Sequence, residues 1–458
     1  MKFYYIEKKI SDASLASFLN LDKFSKISFM RSSFKKIIIE SLPKNFELII
    51  VKEDELFKSK DDLNGIFWCS NIIFTNDSIQ KLFLKKIIKS MFPIIFGNTG
   101  SYIFKGSLYE LKLFFDNKSN NQLITLNNEI HLRTISKITD FKNLISDNSH
   151  TRHFNEISSD KENFIKKSTS INKLESEFNF LNNIPHDLKK YYVKVFEFNK
   201  YKKYATYSME KLPGIDLSIS LINGSLSEPE IQNILNILEG YFNELTNHKN
   251  QNNDNSLNFI LQKNLLRHEE LKNWDSYEKL DKFINSHTPF SGLDEIFTSI
   301  NSFLKKSTLI FNKSNTYFSH GDLCFSNMVL SEDKGSITFI DPRGGKGDEA
   351  YRTPYYDLAK LSHSLIGGYD FIINNIAKIH FDNKMQASID FNGALENNNH
   401  ELFKNFTNSL RYDMTIVRLV EASLFASMLP LHTDDEKKVF MLAIRASEIL
   451  TLLSKKGI

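Results

Sequence analysis

The stretch YFSHGDLCFSNMVL, residues 317–330, sets His320, Asp322 and Asn327 between two apolar runs, and the apolar run SITFID then ends on Asp341. A histidine, two carboxylates and an amide at this spacing are hard donors and proton acceptors rather than ordinary turn polarity. If the chain runs strand, polar loop, strand, turn, strand, then the loop and the last residue of the final strand meet at one end of a hairpin. Asp322, Asn327 and Asp341 would then converge on one point. Magnesium favours such oxygen donors, takes one or two carboxylates, and completes its shell with water and phosphate oxygens. Phosphoryl transfer asks for the same parts: a carboxylate to orient and deprotonate the attacking hydroxyl, and oxygens that hold a metal on the phosphates. A lone His-x-Asp more often caps a turn, and the second aspartate at the end of the next strand is what shifts the reading toward chemistry.

These residues need a scaffold, and the chain is long enough to supply one. Its 458 residues suggest two to four domains; 41% are hydrophobic and 25% charged, as in a globular protein with a sizeable core. The net charge of +3 is spread along the chain with no basic stripe, which argues against nucleic acid. Cys69 and Cys324 lie far apart and share no metal-ligand spacing, so a reducing, cytoplasmic setting is expected. Charges interrupt the N-terminus before any signal-like apolar region, and no uninterrupted apolar run is long enough to predict a membrane span.

Along the chain, β-like runs FELIIV (46–51) and GIFWCSNIIF (65–74) alternate with the helical stretch 77–92, predicting a small α/β unit. The polar break DNKSNNQ (116–122) places a boundary there. From 123 to 212 the pattern is strand-rich around one helix at 170–184, where Leu174, Phe178 and Leu181 keep helical spacing and Pro185 stops it. After LPGIDLS (212–218) the chain turns helical: 228–245, one long segment 257–308, 402–429 and 434–454.

HGDLCFSN followed by FIDPRG resembles the Brenner motif and metal-binding aspartate of the aminoglycoside phosphotransferase and choline kinase group. The resemblance implies an α+β, bilobal protein-kinase-like fold: residues 123–212 as a β-rich lobe, 213–458 as a helical lobe with the catalytic loop, and 1–122 as a preceding α/β domain. It implies Asp322 as catalytic base, His320 as the residue bracing the loop, and Asn327 and Asp341 as magnesium ligands. Asp357, in YYDLAKLSHS, would be a buried brace. A lysine on the nucleotide phosphates and its acidic partner are also implied. Glu177 fits the partner, and Lys167 the lysine, with Lys166 open because strand alternation turns only one of the two inward. The segment 148–158 lies where a glycine-rich flap is expected, has no glycine, and offers Arg152 to phosphates. Met209, Glu210, Lys211 and Leu212 would form the linker that holds the purine. Arg343 could meet a phosphate or acid on the substrate, or serve in an ion pair.

A finer likeness joins TRHFNEIS, YSMEKLPGIDLS, HGDLCFSNMVL, FIDPRGG and LFASMLPLH: they resemble phosphotransferase domains of bacterial capsule and surface-polysaccharide gene products. It implies a kinase that uses magnesium and ATP or another nucleoside triphosphate, with a sugar or amino-alcohol hydroxyl as acceptor and polysaccharide biosynthesis enzymes as partners. Residues 1–122 lack the pyrophosphorylase glycine-rich signature, so a nucleotidyltransferase ancestry would leave them a degenerate unit. A pseudokinase-like scaffold and a protein kinase stay open as alternatives. The first is opposed by the complete Asp322, Asn327 and Asp341 set, the second by the lack of an APE-type segment after Asp341.

Overall fold

The computed structural model describes the chain apart from residues 30–31, 75–82, 91–92, 99–100, 117–123, 127–131, 138–139, 142–154, 160–162, 251–255, 392–396 and 456–458 and isolated single positions. Contacts divide it into two units, 1–150 with 223–225, and 151–222 with 226–458.

In the first unit, strands Lys2–Glu7 and Asn64–Cys69 lie side by side in the interior of a six-stranded mixed sheet. Their near-continuous apolar runs are buried on both faces, with Tyr5 and Trp68 on one and Tyr4 and Phe67 on the other all at most 2% exposed, the pattern of interior strands in a covered sheet. Strand Ile124–Leu126 pairs in parallel with Ile94–Asn98, and Leu132–Thr134 pairs with Ile72–Phe74. The boundary expected near 122 is therefore displaced to about 150. The polar DNKSNNQ break separates two parts of one unit, because the strands that follow it return to the first unit's sheets. Most of the helix expected at 77–92 lies outside the described residues.

The second unit opens with an antiparallel sheet ordered Asn155–Ser159, Asn163–Ser168, Ala205–Glu210, Val195–Lys200. The helix Ile171–Asn182 buries Leu174, Phe180 and Leu181, with Phe178 half-buried against the same core. Helices then dominate. At the start of Glu228–Leu245 the Glu230 carboxylate accepts from both the backbone N–H and the hydroxyl of Ser227, each at 2.7 Å. The long segment expected at 257–308 breaks into three helices, Ser256–Lys272, Tyr277–His287 and Leu293–Lys306. Helices Pro354–Leu365, Met414–Met428 and Glu436–Lys455 form the densely packed centre. The window Met414–Leu431 is apolar and long enough to cross a membrane by composition, but 78% of it is buried inside the protein, as befits a core helix.

Buried carboxyls in this centre give the helical part a pH signature. Burial outweighs a hydrogen bond from Ser364 and raises Asp370 to about 7. An unfolded aspartate titrates near 4, so its stabilising contribution is complete below that pH and is lost as pH rises through about 7. Asp370→Asn cannot ionise. Its melting temperature should gain on wild type as pH rises from about 4 to about 7, the window that separates the two values. Thermal melts across that range that stay parallel would show the carboxyl ionising as in water.

Candidate active site

The polar loop does not close a hairpin between its flanking strands. Thr316–Phe318 pairs with Lys249–Asn250 and Tyr351–Arg352, whereas Met328–Ser331 pairs with Gly214–Asp216 and Ile337–Phe339. The loop thus crosses from one small sheet to another. The hairpin that matters is the next one: Met328 faces Phe339, and the Ile340 N–H donates to the Asn327 carbonyl at 2.9 Å. That register sets Asn327 and Asp341 at the same end.

Each polar group of the loop has a partner that holds it. His320 is wholly buried; its Nε2 lies 2.9 Å from the Ile340 carbonyl, and its Nδ1 is 3.2 Å from the Asp322 N–H. A carbonyl can only accept and an N–H only donate, so the ring is the neutral Nε2–H tautomer. Burial holds its pKa below the usual histidine value. His320 therefore joins the loop to the strand ending in Asp341. His320→Ala should strand both backbone partners and cost about 1–3 kcal/mol per unsatisfied group, read as a lowered melting temperature.

Asp357 accepts from Ser319 Oγ at 2.6 Å and from the Gly321 N–H at 2.9 Å. Gly321 has φ of 74°, and a Cβ there would stand 3.0 Å from Arg343 and Arg352, so the glycine of the motif is required by both backbone and space. Asn327 donates through Nδ2 to the Asp322 carbonyl at 2.8 Å, which leaves its Oδ1 as the atom suited to a cation. Asp341 takes the left-handed conformation, φ 54°, uncommon outside glycine and tolerated best by Asp and Asn. An amide oxygen and a half-exposed carboxylate are hard donors, and this donor set fits magnesium.

Across from them, the strand Asn163–Ser168 turns Lys166 inward. Lys166 is 2% exposed, and its Nζ lies 2.6 Å from Glu177 Oε1 and 2.8 Å from Asp341 Oδ1. Burial opposes its charge, but the two carboxylates outweigh this and raise its pKa. Tyr207, opposite Lys166 on the neighbouring strand, donates to the same Glu177 oxygen. The expectation of Lys167 as Glu177's partner is corrected: strand alternation points Lys167 to the other face, where its Nζ stands 4.9 Å from the Tyr204 ring.

The backbone past Asp341 is pressed against the Glu177 helix. Gly344, at φ 78°, has room for no side chain: a Cβ would come within 2.8 Å of the Ser176 carbonyl carbon and 2.9 Å of the Glu177 nitrogen. Gly344→Ala should destabilise the protein and lower any nucleotide affinity together, measurable by melting and by titration.

Of the remaining expected residues, Met209 is buried in the core, and Glu210 accepts from the Lys194 N–H at 2.9 Å. Lys211 lies over Phe164, and Leu212 is half-buried against the core. Arg343 is exposed; its Nη1 is 3.4 Å from the Tyr356 hydroxyl. Arg152 lies outside the described residues.

The sequence reading missed Lys360. Its Nζ sits 2.8 Å from Asp322 Oδ1, and although burial opposes its charge, Asp322 and Tyr356 raise its pKa. A signal was present: Lys360 stands three positions after Asp357 on one helix, so a brace that faces the loop implies that its i+3 neighbour faces it too.

No family model matches the chain, and no curated protein does. Several solved structures are similar. One is a thermostable mutant of an aminoglycoside phosphotransferase in its apo form, at 9% identity, covering 66% of this chain and 95% of that one with a TM-score of 0.41. Another is an aminoglycoside-3'-phosphotransferase of type VIII, at 14% identity, covering 65% and 93% with a TM-score of 0.36. A third is the thermostable mutant's ternary complex with ADP and hygromycin B, at 11% identity, covering 69% and 98% with a TM-score of 0.38.

Proposed function

We propose that residues 151–458 form a protein-kinase-like phosphotransferase that moves the γ-phosphate of ATP, or of another nucleoside triphosphate, to a hydroxyl of a small molecule. The observation that carries the proposal is the buried Lys166 held between Glu177 and Asp341, with Asn327 and Asp322 on the adjoining loop. A buried lysine fixed by two carboxylates and flanked by hard oxygen donors suits a triphosphate and its metal better than it suits structure alone, since an apolar core would be at least as stable.

In this reading Asn327 and Asp341 would hold magnesium, which would supply neutralising charge on the phosphates. Lys166 meets the nucleotide phosphates, and Glu177 and Tyr207 fix its position. Asp322, held by Lys360 through Oδ1 and by the His320-braced loop, orients the acceptor hydroxyl and takes its proton as the oxygen bonds to the γ-phosphorus; the bond from that phosphorus to the β–γ bridging oxygen breaks and the nucleoside diphosphate leaves with the electron pair. Lys360 is placed to steady the charge that passes between Asp322 and the transferred group. Residues Met209 to Leu212 form the linker beside the base. The acceptor class proposed is a sugar or amino-alcohol hydroxyl in bacterial capsule or surface-polysaccharide precursor synthesis, a setting supported by the motif series.

The test is the purified protein with ATP or GTP, with and without magnesium, against sugars, sugar phosphates and amino alcohols. Magnesium-dependent thermal stabilisation by nucleotide and acceptor-stimulated release of the diphosphate are expected. A protein that neither binds nor turns over any nucleotide under these conditions is not a kinase.

A further inference from the structure

Next to the Asp322–Lys360 pair stand two further cations, Lys263 and Arg343, that the proposed transfer chemistry leaves unexplained. Tyr356 and Lys360 are four positions apart on one helix face, and Tyr356 is 1% exposed. The Tyr356 phenol oxygen accepts from Lys263 Nζ at 2.9 Å and from Arg343 Nη1 at 3.4 Å. Lys263 comes from the helix Ser256–Lys272, as does Phe259, on whose ring the Arg343 guanidinium rests at 4.9 Å. Three helix or turn segments thus aim Lys263, Arg343 and Lys360 at one phenol oxygen and its surroundings.

The charges do not balance. Asp322 pairs with Lys360 at 2.8 Å, whereas among the described residues neither Lys263 nor Arg343 has a carboxylate within the 4.0 Å of an ion pair. Burial lowers the pKa of Lys263, and the neighbouring cations Lys360 and Arg343 lower it further. Burial would raise the Tyr356 hydroxyl, but Lys263, Lys360 and Arg343 together bring it down to about 8. Both shifts agree with the geometry of a cluster short of negative charge. Such a cluster is costly alone and is relieved by an anion that accepts from several donors at once.

We propose that Lys263, Arg343 and the Tyr356 hydroxyl form a subsite for an oxyanionic group, phosphate or carboxylate, carried by the acceptor whose hydroxyl reaches Asp322. This inference rests on the kinase reading and narrows it. It favours phosphorylated or acidic sugars over amino alcohols, whose ammonium group would meet like charge. Arg343 supplies a planar fork that can take two oxygens, Lys263 a point charge, and Tyr356 a neutral donor once its hydrogen turns toward the ligand.

The probes are inorganic phosphate and acetate, titrated calorimetrically into the full chain saturated with magnesium and a non-hydrolysable ATP analogue, so that the γ-phosphate position is filled. Wild type should bind phosphate, and should bind acetate too if the subsite serves carboxylates. Lys263→Met and Arg343→Met should each weaken binding by about tenfold or more, the size of a lost charged hydrogen bond, and Lys263→Arg should restore most of it. Melting curves taken alongside confirm that each variant is folded. Absent binding of both anions to wild type, or equal binding by wild type and both methionine variants, overturns the subsite. The nucleotide analogue failing to bind overturns the kinase reading instead, and phosphate titrated into the nucleotide-free protein then reads the subsite by itself.

Discussion

Asp322→Asn is expected to abolish acceptor phosphorylation while leaving nucleotide binding close to wild type. Asparagine keeps the shape of the side chain and can still meet Lys360, but it cannot take a proton from the attacking hydroxyl. The loop around it is held by contacts that the substitution does not touch: His320 to Ile340, Asp357 to Ser319 and Gly321, and Asn327 to the Asp322 carbonyl. Loss of a positioned general base costs roughly 100- to 10,000-fold in rate. Acceptor-dependent release of ADP measures that loss, and calorimetric titration of ATP with magnesium measures the retained affinity. A kcat within a few-fold of wild type would remove Asp322 from the chemistry and leave it as a structural partner of Lys360.

Lys166→Met and Lys167→Met should differ sharply although the residues are adjacent. Removing Lys166 leaves Glu177, 4% exposed, facing Asp341 without the ammonium between them. Breaking a buried pair in this way costs about 3–5 kcal/mol, because an uncompensated charge stays behind. The melting temperature should fall, and the folded fraction should lose nucleotide affinity. Lys167 contributes a contact with the Tyr204 ring on the other face, worth about 0.5–1 kcal/mol, so its replacement should leave both readings near wild type. The reverse order of effects would place the nucleotide on the opposite face of the sheet.

His320, Asp322, Asn327 and Asp341 lie within one short stretch, so their nearness was legible, but the loop crosses between two sheets and only the next hairpin, Met328 against Phe339, sets Asn327 and Asp341 at one end. Which lysine turns inward was not legible, since KK in a strand fixes that the two diverge and leaves the parity to the register with Tyr207. Lys360, Lys263 and Tyr356 gather at the site from two helices far from the loop, and helical periodicity alone does not say which helix will lie beside it. The unit boundary was obscured for a similar reason. DNKSNNQ has a linker's composition, and only the long-range pairing of Ile124–Leu126 and Leu132–Thr134 shows that the first unit continues past it. The helix 228–245 was plain because its cap and its apolar stripe are both local.

The contact at Gly344 bears on how such a catalyst could be governed. Its backbone lies against that of Ser176 and Glu177 with no space for even a methyl group, while Lys166 ties Glu177 to Asp341 from the other side. Swinging that helix away would have to break a buried charge triad and reopen a close backbone seam at the same moment. The site therefore has no inexpensive dormant posture of that kind. Its output would follow the supply of nucleotide and acceptor, with throttling by traffic in place of a latch.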